Sequence, residues 1–114
     1  MIQLYFNPEF EYQTMIYYTQ IIFIKDGQED AFHSFEDKVL PLLQRHNGEL
    51  IYRVRPDESA VIATAFGHPY EIHLVSFMDR KSFEGYRDDP ERLQHMQLKN
   101  ESVDRVILIE GHAL

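Results

Sequence analysis

Apolar residues alternate with a period of two through Tyr17–Ile24: Ile21 and Phe23 point one way, Ile22 and Ile24 the other. The stretch therefore predicts a strand with hydrocarbon on both faces, closed by the turn signal Asp26-Gly27. From Gln28 to His46 the period changes. Ala31, Phe32, Phe35, Val39, Leu42 and Leu43 recur at spacings of three and four, opposite Glu29, Asp30, Glu36 and Asp37. This predicts one long helix with an apolar stripe and a solvated acidic side. Pro41 removes a backbone donor inside it and predicts a kink, and Asn47-Gly48 supplies the left-handed residue that closes it.

Leu50–Arg55 alternates again, with Leu50, Tyr52 and Val54 expected on one side and Ile51, Arg53 and Arg55 on the other, until Pro56 ends it. Residues 60–66 are apolar and β-prone, and their period leaves open a short strand or a packed loop. Glu71–Phe77 reads as a strand. Asp79 is placed to cap a short helix bearing Phe83 and Tyr86, and Asp89 with Pro90 starts another through Leu93, Met96 and Lys99. A last strand covers Arg105–Ile109. Before all of this, Met1–Thr14 shows no clear period and is read as an N-terminal extension, with a short added strand allowed at Ile2–Phe6. The domain proper is residues 15–111.

Strand, helix, strand, strand, broken helix, strand is the βαββαβ order of an α+β, ferredoxin-like fold, a four-stranded antiparallel sheet with its helices on one face. Right-handed crossovers place both helical connections on the same side and leave the other face bare. A bare face of Ile and Phe is larger than a soluble monomer usually exposes. A second copy of the chain is the economical cover, and two such faces closing on each other make a barrel shared by a homodimer.

The matching phrases are Tyr17-Tyr18-Thr19-Gln20 running into Asp26-Gly27-Gln28-Glu29, Val39-Leu40-Pro41-Leu42-Leu43 leading to His46-Asn47-Gly48, and Tyr70 to Phe77. Phe83 to Pro90 and Val106-Ile107-Leu108-Ile109-Glu110-Gly111 complete them. In that order and spacing the chain resembles the dimeric α+β barrel superfamily, and within it a bacterial domain-of-unknown-function family related to antibiotic-biosynthesis-monooxygenase-like proteins. The resemblance implies a homodimer with a cleft between sheet and helices. The superfamily includes cofactor-independent monooxygenases, haem-degrading enzymes, muconolactone isomerases and ligand-binding domains, so the fold alone selects no chemistry. Several oxygenase branches look to a pocket tryptophan, and this chain has none.

Composition narrows the classes further. A chain of 114 residues with 44% hydrophobic and 26% charged residues suits one folded domain. Its net charge of -8 argues against nucleic acid, which clustered Lys and Arg would be needed to bind. No run approaches the ~20 apolar residues of a membrane span. The absence of cysteine excludes disulfides and thiolate chemistry, and the cytoplasm is the expected compartment.

Two constellations carry candidate chemistry. Glu71 and His73 share a strand face, as a catalytic base and its orienting partner would. The plainer reading is a packed histidine beside an edge carboxylate. Two ligands do not make a metal site, and no motif asks for a metal or other cofactor, so none is expected. Arg53 and Arg55 share a face too, and with His46 could clamp an anion, or form a solvated face with surface ion pairs. Tyr86 lies at the junction of the two short helices, where broken backbone can meet a ligand. The expected function is a small cytoplasmic homodimer binding a small acidic or aromatic molecule in its cleft. The rivals are a cofactor-independent oxygenase or isomerase using His73 as general base with Arg53 as anion anchor, and a non-catalytic dimerisation or regulatory module.

Overall fold

The computed structural model describes residues 14–114, so the extension and its possible strand at Ile2–Phe6 fall outside the described residues. The strands β1 (Ile16–Ile24), β2 (Gly48–Val54), β3 (Glu71–Phe77) and β4 (Val103–Gly111) form one antiparallel sheet in the order β2-β3-β1-β4. Helix α1 (Glu29–Val39) and a 3-10 segment (Leu40–His46) join β1 to β2. Three short helices, α2 (Arg80–Arg87), α3 (Pro90–Leu93) and α4 (Met96–Ser102), join β3 to β4. This is the ferredoxin-like α+β arrangement. Among the described residues no helix is long and apolar enough to cross a membrane.

Local chemistry sets most boundaries. Asp79 Oδ1 accepts from the Ser82 amide at 2.8 Å, and Asp89 Oδ1 accepts from the Glu91 amide at 2.9 Å with Pro90 at the first helical position. The long helix does not simply kink at Pro41. The α form ends at Val39 and the chain tightens into the 3-10 segment, with Pro41 in its first turn, where a residue lacking a backbone N–H is best tolerated. Asn47, at φ 54°, is the left-handed residue that closes it. Gly48 serves another purpose: a Cβ there would sit 2.7 Å from Phe77 Cε1. Residues 60–66 are not a strand; apart from a turn of 3-10 at Glu58–Ala60 this stretch is an irregular, exposed loop, with Ile62 and Phe66 in water.

The expected alternation of β2 is also corrected. Leu50 pairs with Val75 but Tyr52 pairs with Leu74, so Ile51 is an extra residue and the register shifts there. Leu50 and Arg53 consequently share one face while Tyr52 and Val54 take the other. On the helix side of the sheet lie Ile16, Tyr18 and Ile22 of β1 with Val75 and Phe77 of β3, all buried. The core cluster of Ile16, Tyr18, Leu43, Val75 and Phe77 is extended by Phe83 and Tyr86, with Tyr18 and Phe83 ring centroids 4.4 Å apart. The far side carries Thr19, Ile21, Ile72, Leu74, Ile107 and Ile109, and the helices of the described residues lie on the opposite side. There Ile109 is 52% and Tyr52 54% exposed.

Candidate functional site

Alternation along β1 and β3 sends Gln20 and His73, which face each other in the register, to the helix side. Beside them the sheet and the helices do not close completely on each other. A cavity of about 520 Å³ remains, floored by Gln20, His73, Val75 and Leu108 and roofed by Leu40 and Met96 among others. It is mostly apolar with a few polar groups, as organic ligand sites generally are. Tyr86 lines it too, its hydroxyl donating to the Val39 carbonyl at 3.3 Å.

Glu71 and His73 meet as their spacing allows. His73 Nε2 lies 3.0 Å from Glu71 Oε2 and 3.0 Å from Glu36 Oε2, and all three residues are at most 3% exposed. Glu36 was expected on the wet side of the long helix and is instead buried over the sheet. Its position, four after Phe32 and three before Val39, falls within the apolar stripe, and that was the signal to read.

Arg53 and Arg55 join the same cluster and are not a free anion clamp. Arg53 donates through Nε to Glu71 Oε1 at 2.8 Å and through Nη2 to Glu36 Oε1 at 2.7 Å, while Arg55 Nε reaches Glu71 Oε1 at 3.0 Å. Two guanidinium groups thus answer two carboxylates. Burial works against ionising Glu71, but the hydrogen bonds from His73 and Arg53 overcome it and hold its carboxyl well below the usual range. Glu36 moves the other way, because its burial is the stronger influence. Burial opposes charge on His73 as well, yet its bonds to Glu36 and Glu71 raise its pKa.

Glu36, Glu71 and His73 each offer one atom within 4.8 Å of the others, and these are the side chains that could hold a metal. A divalent ion among them would meet guanidinium charges already bonded to both carboxylates, an unfavourable neighbourhood for a cation. His46 is held elsewhere. Its Nε2 lies 2.7 Å from Asp89 Oδ2, and Arg45 Nη1 lies 3.2 Å from the same oxygen. The bond from His46 is the main reason the Asp89 carboxyl falls to about 2. The fold does not bring His46, Arg53 and Arg55 together: His46 is bonded to Asp89, while Arg53 and Arg55 are bonded to Glu71.

Arg92 and Lys99, missed by the sequence reading, line the cavity together with Arg87. Arg92 Nη1 donates to the Arg87 carbonyl at 3.1 Å, and its guanidinium lies 5.0 Å from the Tyr86 ring centroid. Its Nε is buried without a hydrogen-bond partner. An orphaned buried donor costs on the order of 1–3 kcal/mol, more when charged. Burial, and then the charge of Arg92, push the Lys99 ammonium below its ordinary pKa. Spacings of four and three from Arg92 through Met96 to Lys99 were the available signal.

No family model and no curated protein matches the chain. Solved structures do. A protein of unknown function from Rhodopseudomonas palustris aligns with a TM-score of 0.76 at 13% identity, over 89% of this chain and 83% of that one. A dimeric protein of unknown function and ferredoxin-like fold from Bacteroides fragilis aligns at 0.64 and 10% identity, over 87% and 96%. A cofactor-independent oxygenase from Streptomyces nogalater aligns at 0.63 and 11% identity, over 89% and 94%. The neighbours as a group are ferredoxin-like proteins of the dimeric α+β barrel and monooxygenase-like kind. At these identities the likeness shows the fold, and the fold is the one the element order predicts.

Proposed function

We propose that this protein is a homodimer whose sheet–helix cavity binds a small organic molecule. The carrying observation is the cavity itself: about 520 Å³ of space between sheet and helices, mostly apolar in its lining, with Gln20 and His73 on the sheet side and charged groups such as Arg92 and Lys99 on the helix side. A module serving only to pair subunits has no need of such a space, and filling it would remove the cost of unmade contacts. Self-association is supported by the helix-free face carrying Ile21, Ile72, Leu74, Ile107 and Ile109, and by the description of the Bacteroides fragilis neighbour as dimeric.

A thermal-shift screen of small aromatic and aliphatic compounds tests the cavity. A ligand at about 100 times its dissociation constant stabilises the folded state by about 2.7 kcal/mol. Leu108→Trp, which adds bulk to the cavity from its floor, is expected to abolish the shift; a shift that survives places binding elsewhere. Analytical centrifugation tests the assembly. The expected result is a particle of twice 13.6 kDa that Ile109→Arg dissociates, and a monomer of the unaltered chain ends the proposal of a shared barrel.

One observation favours a second, enzymatic reading. His73 lines the cavity and meets both carboxylates through Nε2, an arrangement that can hold a proton and pass it to or from a bound molecule. An isomerisation needs only such proton movement. His73→Gln at full ligand binding with loss of turnover would support that reading; unchanged turnover would remove it.

A further inference from the structure

We infer that the molecule held in this cavity is an organic anion, a carboxylic acid with an apolar body, and that Arg92 and Lys99 together hold its carboxylate. The inference rests on the reading of the cavity as a ligand site and deepens it.

The other cations of the helical layer near the cavity have acids of their own. Arg87 and Asp88 also line the cavity, and there Arg87 holds Asp88 through two bonds of 2.9 Å each; Arg45 holds Asp89 and Glu91. Arg53 and Arg55 are matched by Glu36 and Glu71. Among the described residues Arg92 and Lys99 form no ion pair, although both face the cavity. Two like charges brought near one another and partly out of water repel, and desolvation adds to the cost. The depressed Lys99 pKa records both effects. Such a pair is stabilised when an anion enters between its members. The Arg92 guanidinium lines the cavity, and a planar carboxylate suits a guanidinium better than a hydroxyl does.

The rest of the lining determines the body of the ligand. Val75, Leu40, Leu108, Leu93 and Met96 are apolar, and Leu93 and Leu108 are 49% and 54% exposed, so hydrocarbon remains uncovered at the cavity walls. A fully hydrophilic anion such as phosphate would leave that surface wet. An acid carrying an aryl or alkyl group satisfies both parts of the lining.

The test compares 4-phenylbutyrate with 4-phenyl-1-butanol, which share their apolar body, by calorimetric titration of the full chain. The acid is expected to bind at least about tenfold more tightly, a difference of about 1.4 kcal/mol. Lys99→Met and Arg92→Gln are each expected to remove that preference while leaving the affinity for the alcohol unchanged. Since Arg92 packs on Tyr86, Lys99→Met decides the matter if Arg92→Gln does not fold. Equal affinities in the unaltered protein, or a preference that survives Lys99→Met, overturn the anion anchor and leave the cavity reading standing. If neither compound binds, the cavity reading fails and takes the anchor with it.

Discussion

Two charged regions of this molecule face the same sheet and behave in opposite ways. In the Glu71 corner, Glu36, Glu71, Arg53 and Arg55 balance one another, and His73 is bonded to both carboxylates. At Arg92 and Lys99, two cations share a cavity wall and no ion pair links either of them to an acid among the described residues. A closed network gains little from a newcomer, because any added ion competes with bonds already made. An unmatched pair is costly until something of opposite sign arrives. Charge alone therefore does not locate a binding site; the balance of charge does. The corner is a closed network, and under the proposed reading the cavity wall is where an anionic ligand gains most.

The largest expected effect breaks the corner. Glu71→Leu leaves Arg53 and Arg55 without their shared acceptor, in a position where Glu71 is 1% exposed. Removing one partner of a buried ion pair costs about 3–5 kcal/mol, measurable by urea denaturation. A loss below about 1 kcal/mol would mean the corner is no more than a surface pair.

pH sharpens the contrast next. Glu71 has a lowered folded pKa, so its contribution is present above its ordinary value of 4.5 and is lost as pH falls through the folded one. Glu36 and His73 have raised folded values. Their contributions are present below their ordinary 4.5 and 6.5, and are lost as pH rises through the folded values. The corner's stabilisation should peak at mildly acidic pH and decline on either side, and Glu71→Leu should flatten the acid limb. An acid limb unchanged by that substitution would assign it to other carboxylates.

Within the corner, Arg53→Met should cost more than Arg55→Met. Arg53 joins both carboxylates with its side chain 33% exposed, whereas Arg55 makes one bond at 44% exposure. Denaturation midpoints would show it, and equal losses would mean the Glu36 bond contributes nothing. Smallest of all, Lys99→Met should leave stability unchanged or raise it by up to about 1 kcal/mol, since it removes a partly buried charge without breaking a pair. A loss comparable to that of Glu71→Leu would erase the distinction between the two regions.

Much of the architecture follows from local chemistry legible along the chain. Period-two runs place β1 and β3, Asp79 and Asp89 start their helices, and Asn47 ends the first connection because such signals act over a few residues. The element order then restricts the topology to the ferredoxin-like one. The pairing of Glu71 with His73 was also readable, since residues two apart on a strand share a face.

What a single chain of letters leaves undecided is which side chains distant in sequence become neighbours, and how much room lies between layers. The extra residue at Ile51 reverses the facing of β2 and delivers Arg53 to Glu71, a consequence of strand register and not of β2's own pattern. Glu36 shares the helix face of Phe32 and Val39, but that a carboxylate on that face is buried and matched by Arg53 is decided only where α1 lies on the sheet. Arg92 and Lys99 look like ordinary surface cations until the broken helix lays them along a cavity wall. Periodicity follows from backbone geometry and is written locally, whereas burial and charge balance are properties of the assembled layers.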